Sequence, residues 1–122
     1  MMSKKQVAII LSKLKGFNDA DIRLEQYTTD SEIAATILWD AFMNGDVKDK
    51  VVADLGCGAG VLGIGALLLD AKKVFFVDVD QDALDVLEEN LRKLELKNYE
   101  IMNKDVSDFY EKVDLVIQNP PF

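Results

Sequence analysis

Three glycines that alternate with other residues follow directly on a short apolar run, and this pairing constrains the fold more than any other feature of the chain. The run is Val51–Leu55, and the glycines are Gly56, Gly58 and Gly60. A short apolar run closed by glycines is typical of a buried strand in a parallel sheet. Glycine lets the backbone turn sharply and approach a ligand with no Cβ in the way. The segment therefore predicts a strand, a ligand-binding turn and a helix.

Strand patterns alternate with helix patterns over the rest of the chain, which predicts βαβ units and a mostly parallel sheet. Two amphipathic helices are expected before the first strand, ended by Gly16 and Gly45, and Asp80 is expected to cap a later helix. The expected helices are 4–15, 30–44, 61–69 and 81–94, and the expected strands are 51–55, 74–77, 99–102 and 113–117.

The apolar spacing of the two N-terminal helices predicts which side chains face the core. In the first helix they are Val7, Ile10, Leu11 and Leu14. In the second helix Thr29 and Glu32 have the spacing of a capping box. The inward residues expected in the second helix are Ile33, Ile37, Leu38 and Phe42.

We expect one α/β domain with a doubly wound, Rossmann-like sheet, because 122 residues suffice for a single core. Residues 1–47 would form an N-terminal helical part and residues 48–122 the βαβ core. The fourth strand is apolar, and with nothing after it this strand would be a bare edge, which proteins usually avoid. The sequence therefore predicts a sheet truncated after its fourth strand, with the natural protein continuing or another chain covering that edge.

Composition restricts the chemistry. The chain has no histidine, which excludes Ser-His-Asp and Cys-His catalysis and argues against a zinc centre, so no metal site is expected. The sequence has a single cysteine, Cys57, and no apolar run long enough for a membrane span. Both features favour a reduced, cytoplasmic setting. The net charge of −8 opposes a large phosphate-binding surface, although it leaves nucleic acid open as a substrate.

The glycine turn fits two cofactors. Gly58–Gly63 satisfies G-x-G-x-x-G, and Asp78 follows at about the distance of a ribose-binding acid, as in a dinucleotide site. Asp54, directly before the turn, would repel a pyrophosphate but suits the cationic groups of S-adenosylmethionine (SAM). A carboxylate at Asp78 can accept hydrogen bonds from the ribose hydroxyls of either cofactor. After the third strand, Asp105 could accept from an adenine amino group, with the backbone N–H of Val106 beside it.

The final residues, Asn119-Pro120-Pro121-Phe122, predict methyl transfer to a conjugated nitrogen. The side-chain oxygen of Asn119 and the carbonyl of Pro120 can each accept one N–H of such an amine and so concentrate its lone pair. The prolines would fix the turn, and Phe122 would stack on the planar substrate. Catalysis would then rest on positioning and selective hydrogen bonding.

Four segments together resemble the archaeal and eukaryotic small-subunit ribosomal RNA adenine-N6 methyltransferases. They are Glu25–Thr29, Val51–Leu62, Asp78–Leu84 and Asn119–Phe122. The resemblance implies that Gln26 and Thr29 close over SAM, although the residues alone favour ordinary loop filling at Gln26. It also implies an RNA substrate and a small zinc-binding activator protein. The SAM contacts that it implies are Gly56, Ala59, Val61, Asp78, Asp105, Val106 and Asn119, and the glycine turn adds Gly58.

Three other functions stay open at this point. A protein glutamine-N5 methyltransferase faces the same conjugated-nitrogen problem, but the Glu25-Gln26-Tyr27 segment argues against it. A SAM-binding module without catalysis is a second alternative. An NAD-dependent oxidoreductase is a third, and the Asn-Pro-Pro-Phe turn has no role in hydride transfer.

Overall fold

The computed structural model describes residues 2–15 and 31–118. These residues form an α/β fold. No helix among them is long and apolar enough to cross a membrane. The elements in chain order are α1 (Lys4–Ser12), α2 (Ser31–Met43), β1 (Val51–Leu55), α3 (Val61–Leu68), β2 (Lys73–Asp78), α4 (Gln81–Lys93), β3 (Tyr99–Asn103), a 3₁₀ turn (Val106–Asp108) and β4 (Leu115–Gln118).

The four strands form one parallel sheet in the order β3-β2-β1-β4. The chain moves outward from β1 to β3 and then crosses to the other side of β1, so the winding direction reverses between β1 and β4. This reversal is the mark of a doubly wound sheet, and ligands in such sheets bind at the carboxyl ends of the strands beside it. The expected fold class is confirmed, and β4 lies at an edge of the described sheet.

The two faces of the sheet are covered differently. Helices cover one face, where Val52, Val74 and Phe76 pack in the main core. On the other face Ala53, Phe75 and Val77 form a smaller cluster with the β3–β4 connection. Phe109 of that connection meets Phe75 edge-on, with ring centroids 5.5 Å apart. Both faces of the central strands are therefore buried, which explains why their sequences are continuously apolar.

Helix α1 begins as a capping box and is shorter than its pattern predicts. Ser3 and Gln6 exchange side-chain and backbone hydrogen bonds at its start. Its last turn tightens, because the N–H groups of Lys13 and Leu14 donate to carbonyls only three residues back, at Ile10 and Leu11. The helix therefore ends at Ser12 rather than Lys15, although Leu14 is still buried as expected. Gly16, the expected stop, lies outside the described residues.

The inward face predicted for α2 was partly wrong. Leu38 is buried and Phe42 is half-buried as expected, but Ile33 and Ile37 are 57% and 51% exposed. The side chains that face the core instead are Ala34, Ala35 and Leu38. Small alanines let α2 lie close to α1 and α3, so backbone proximity, rather than side-chain size, selects the buried face. Thr29, the expected cap, lies outside the described residues.

A buried asparagine of α4 holds the end of the N-terminal helical part. Asn90 is almost fully buried, and its side-chain oxygen accepts from the Lys15 N–H at 3.0 Å. Its side-chain nitrogen donates to the Lys15 carbonyl at 3.1 Å. The amide thus satisfies both backbone groups of one residue, as a neighbouring strand would. Lys15 and Glu89 add an exposed ion pair at 3.0 Å, which contributes little by itself.

The Asn90→Ala variant should lose about 2 kcal/mol of unfolding free energy, because the Lys15 N–H and carbonyl would be left without partners. Urea denaturation measures this loss. Asn44→Ala is a matched control, since Asn44 is exposed and its change should stay within about 0.5 kcal/mol. Equal effects of the two variants would contradict the role given to Asn90.

Candidate functional site

The carboxyl ends of all four strands lie in one row. The register pairs Leu55 of β1 with Val77 of β2 and with Gln118 of β4, and it pairs Asp78 of β2 with Asn103 of β3. The segments that follow these positions carry most of the residues singled out in the sequence. The site is therefore built on aligned strand ends, which hold their neighbours more rigidly than loops alone would.

The glycine turn after β1 is left-handed at each of its three glycines. Gly56, Gly58 and Gly60 have φ of +70°, +54° and +91°, values that other residues adopt only under strain. A Cβ on Gly60 would overlap the side chain of Leu87. A Cβ on Gly56 or on Gly58 would meet nothing within 4 Å. Gly60 is thus required for packing, whereas the first two glycines present bare backbone to open space.

Successive N–H groups of the turn are bound to the end of β2. The N–H groups of Gly56 and Cys57 donate to the Val77 carbonyl at 2.8 and 3.0 Å. The next one, from Gly58, donates to Asp78 Oδ2 at 2.8 Å. These three donors are therefore satisfied within the protein and do not form an open cradle for phosphate oxygens.

Asp54 lies beneath the turn and is bound to the start of α3. Its side chain is only 2% exposed, and its Oδ2 accepts from the Gly63 N–H at 2.9 Å. Burial raises the pKa of Asp54 to about 7, the Gly63 hydrogen bond lowers it in part, and the charge of Asp78 raises it further. A Cβ on Gly63 would crowd both this carboxylate and the Phe76 ring. Sequence reasoning missed this pairing, although Gly63 was visible as the last glycine of G-x-G-x-x-G.

Asp78 is half-buried at the end of β2 and accepts two backbone hydrogen bonds. Besides the Gly58 N–H on Oδ2, its Oδ1 accepts from the Asp80 N–H at 2.8 Å. A carboxylate has about four acceptor positions, so both oxygens can still accept from a ligand. Asn103 of β3, which sequence reasoning missed, donates its side-chain amide to the carbonyls of Asp78 and Val79 at 3.2 and 3.0 Å. Nothing in the sequence distinguished Asn103 from an ordinary turn residue.

The segment after β3 is exposed and polar on one side. Asp105 caps the 3₁₀ turn, with Oδ1 accepting from the Ser107 N–H and hydroxyl at 2.8 and 2.7 Å. These two hydrogen bonds hold the pKa of Asp105 below its usual value. Val106 is exposed, and so is Val79 after β2. Two apolar side chains at the carboxyl end of the sheet suit the faces of a planar ring. Val79 could have been recognised in the sequence as a candidate, because it is an apolar residue within the acidic turn 78–82.

Other residues of the turn lie inside the fold. Ala59 and Val61 are buried, so their side chains contribute packing and only their backbone is a candidate for ligand contact. Cys57 is buried too, and burial, followed by the charges of Asp54 and Asp78, raises the pKa of its thiol. These surroundings leave the Cys57 thiol unsuited to act as a nucleophile.

Several predicted site residues lie outside the residues that the structure describes: Gln26, Thr29, Asn119, Pro120 and Phe122. Within residues 2–15 and 31–118, no group of histidine, cysteine or acidic side chains is arranged to hold a metal ion. The described part of the site therefore consists of the glycine turn, Asp54, Asp78 and the segment around Asp105.

The buried carboxyl of Asp54 predicts a pH-dependent stability. Its pKa of about 7 in the folded protein exceeds the ordinary 3.8, so between these values the folded protein holds a proton that the unfolded chain has lost. The free energy of unfolding should fall as the pH rises through this window and level off above it. The Asp54→Asn variant should not show this fall. At pH 8 its free energy of unfolding should exceed that of the parent by on the order of 3 kcal/mol, and the difference should be smaller at pH 5.

Urea denaturation between pH 5 and pH 8 measures these differences. Asp40→Asn is the control, because it removes the same charge at an exposed position. Parallel pH profiles for the parent and the Asp54→Asn variant would contradict the assignment.

Comparison with known proteins places the chain in a family. The family described as "Methyltransferase small domain" matches residues 28–122. The rRNA N(6)-adenosine-methyltransferase of Danio rerio is 42% identical over 126 residues, covering 99% of this chain and 61% of the relative. The corresponding enzyme of Drosophila melanogaster is 36% identical over 118 residues, covering 92% of this chain and 55% of the relative.

A crystal structure from Pyrococcus horikoshii, described as a candidate RNA methyltransferase, has 52% sequence identity to this chain. It superposes with a TM-score of 0.86 over 100% of this chain and 61% of its own. The chain thus spans about three fifths of the length of these relatives. The resemblance stated from the sequence is confirmed, and the chain belongs to the methyltransferase small domain family.

Proposed function

We propose that this chain is the SAM-binding part of an enzyme that transfers a methyl group to the N6 atom of adenine in structured RNA, with ribosomal RNA as the substrate. The alternatives differ in cofactor, in the atom that is methylated and in whether catalysis occurs at all. The described residues mainly distinguish between the alternative cofactors. The relatives' names and the Asn-Pro-Pro-Phe sequence bear on the substrate.

The cofactor proposal rests on the hydrogen bonding of the N–H groups in the glycine turn. Its N–H groups at Gly56, Cys57 and Gly58 are already used by the end of β2. The Asp78 carboxylate accepts from Gly58 within the turn, and the Asp54 carboxyl group accepts from Gly63 at the start of α3. A dinucleotide needs free N–H donors for its pyrophosphate, and the Asp78 carboxylate would repel it. A cofactor with a sulfonium, an ammonium group and a ribose suits an acidic turn.

The strand ends support specific roles for the cofactor-binding residues. Asp78 would accept from the ribose hydroxyls, because both of its oxygens keep acceptor capacity. Val106 would offer its N–H to adenine, since this group donates to no partner in the described part of the chain. Asp105 Oδ2 would accept from the adenine amino group. Gly56 and Gly58 would let the amino-acid end of the cofactor lie against bare backbone.

The substrate proposal rests on the sequence that follows β4 and on the relatives. Gln118 is paired with Leu55 at the winding reversal, and the chain continues from Gln118 into Asn119-Pro120-Pro121-Phe122. Both relatives described above are named for N6-adenosine methylation of rRNA. The target base would leave its stack to reach the cofactor.

The proposed chemistry needs no strong base. SAM, when bound, supplies an electrophilic methyl group with a neutral thioether as leaving group. Asn119, through its side-chain oxygen, and Pro120, through its carbonyl, would each accept one hydrogen of the adenine amino group, so that the nitrogen lone pair points at the methyl carbon. Phe122 would stack on the base. The surplus proton would pass to water after the C–N bond has formed.

A small zinc-binding activator protein belongs to the proposal as well, because the resemblance implies one. Its contribution would appear as a gain in methyl transfer when such a protein is added.

Methyl transfer from labelled SAM to unmodified small-subunit ribosomal RNA, followed by nucleoside analysis, tests the reaction. We expect label in N6-methyladenosine. Asn119→Ala should lower the rate at saturating SAM by about 100-fold or more, because a hydrogen-bond acceptor that acts in the transition state is lost. Gln118→Ala is the matched control, since Gln118 is exposed at the neighbouring position.

Each alternative has its own outcome in this experiment. Label in protein glutamine instead of RNA would favour the glutamine-N5 methyltransferase. SAM binding without transfer, unaffected by Asn119→Ala, would favour a binding module. Tighter binding of NADH than of SAM in calorimetry would favour the oxidoreductase.

Gly58→Ala should weaken SAM binding about tenfold while the protein stays folded, because the added methyl group would project into the space assigned to the cofactor. Gly45→Ala is a close control. Both glycines have positive φ and nothing within 4 Å of an added Cβ, but Gly45 follows α2. Each variant should cost about 1 kcal/mol of stability for left-handed backbone. Equal SAM affinities of the two variants, measured by calorimetry, would contradict the proposed position of the cofactor.

A further inference from the structure

Charge is distributed very unevenly along the chain. Residues 1–15 contain four of its 14 basic residues and none of its 22 acidic residues. The other 107 residues therefore carry ten basic and 22 acidic residues, a net charge of −12. The basic segment coincides with α1 and the residues that flank it. A chain whose overall charge opposes RNA binding thus contains one locally basic element.

Three of these lysines lie in α1 or at its end, and we call them the α1 lysine surface: Lys4, Lys5 and Lys13. Lys4 lies about 100° around the helix from Lys5. All three are exposed, and none forms an ion pair within residues 2–15 and 31–118. Lys5, Ile9 and Lys13 are spaced four residues apart and follow one face of α1 over about 12 Å. Ile9 is 44% exposed between them, so this face is not covered by the described residues. Lys15 differs, because it is paired with Glu89.

The stability of α1 accounts for Lys13, at the C-terminus of the helix, but not for Lys4 and Lys5. The first turn holds Lys4 and Lys5 and no acidic residue. Cations at the start of a helix are repelled by the partial positive charge of its N-terminus, where acidic residues are favoured. Lys4 and Lys5 therefore weaken the helix that carries them, which is understandable if they bind an anion outside the chain.

The buried apolar face of α1 favours RNA over a lipid surface as the anion that these lysines bind. A helix that binds membranes needs an apolar face to insert between lipids. The apolar face of α1, which includes Val7, Leu11 and Leu14, is buried in the core at 2% exposure or less. Ile9 is the exposed apolar side chain that lies among these lysines. Exposed lysines without an exposed apolar face suit the phosphate groups of a nucleic acid.

We propose that the α1 lysine surface binds the phosphate backbone of the RNA substrate. This inference rests on the proposed function, since it supplies a basic contact to RNA in a chain whose other 107 residues have a net charge of −12. The contacts are made to phosphates and not to bases, so the surface contributes affinity and orientation without choosing the target sequence.

The salt dependence of RNA binding tests the proposal. The probe is a fluorescein-labelled RNA hairpin with an unpaired adenosine, and anisotropy gives its affinity for the full chain over a series of salt concentrations. The triple variant K4Q/K5Q/K13Q should bind at least about tenfold more weakly at low salt. The slope of log affinity against log salt should become shallower by about two to three, one for each lost phosphate contact.

Two control proteins make the result specific. The variant K48Q/K50Q/K72Q removes the same charge from exposed lysines that lie close in sequence to Asp46, Asp49 and Asp70, and it should change the slope by less than one unit. The variant K4R/K5R/K13R keeps the charge and should bind as the parent does. SAM affinity should be the same in all four proteins, and no variant should unfold at a markedly lower temperature than the parent, which separates RNA contact from damage to the fold.

The possible failures are distinguishable. If the parent methylates RNA and the two glutamine variants have the same salt slope, the α1 proposal is overturned while the proposed function stands. If the parent transfers no methyl group to RNA under any salt condition, the proposed function fails and the α1 proposal fails with it. If K4Q/K5Q/K13Q binds RNA normally but loses binding to phosphatidylserine vesicles, the surface binds membranes and the proposal is wrong.

Discussion

The hydrogen bonds that two carboxylates accept from backbone N–H groups hold the described site together. Asp78 binds the glycine turn to β2 through the Gly58 N–H, and Asp54 binds β1 to the start of α3 through the Gly63 N–H. A left-handed turn of three glycines has little preference for one shape, because glycine loses much conformational freedom on folding. The two acids fix that shape. Asp78 also gives the turn a negative charge, so the same side chain contributes to its geometry and to the choice of cofactor.

Much of the fold could be predicted from the sequence, because the apolar runs of the strands leave few alternatives once glycines close them. Val51–Leu55 forms the strand expected, and Asp80 caps α4 as its residue type suggests. The ends of elements and the face of α2 were harder. Ile33 and Ile37 have the spacing of an inward face, yet Ala34 and Ala35 are buried instead. Which apolar face packs depends on how closely two backbones approach, and that distance is a property of the assembled structure.

The candidate site was also only partly predictable from the sequence. Acids next to strand ends were visible as candidates because the topology brings such positions to one edge of the sheet. The hydrogen-bond partners at these positions were not visible. The Gly63 N–H, which the Asp54 carboxylate accepts, lies nine residues away, and Asn103, which donates to the backbone carbonyl of Asp78, lies 25 residues away. Neither distance follows from a local pattern. The buried state of Asp54 could not be inferred either, since an acid before a glycine turn is equally compatible with open solvent.

The link between Asn90 and Lys15 also has a consequence for biosynthesis. The two residues are 75 positions apart, and the amide of Asn90 satisfies backbone groups at the end of the first helical segment. During translation α1 leaves the ribosome before α4, so the contact between Asn90 and the end of the first helical segment forms only after α4 has been made. Contacts of such high sequence separation slow folding. The backbone groups of Lys15 therefore lack these two hydrogen bonds until Asn90 has emerged, although α2 and α3 are available earlier to cover the apolar face of α1.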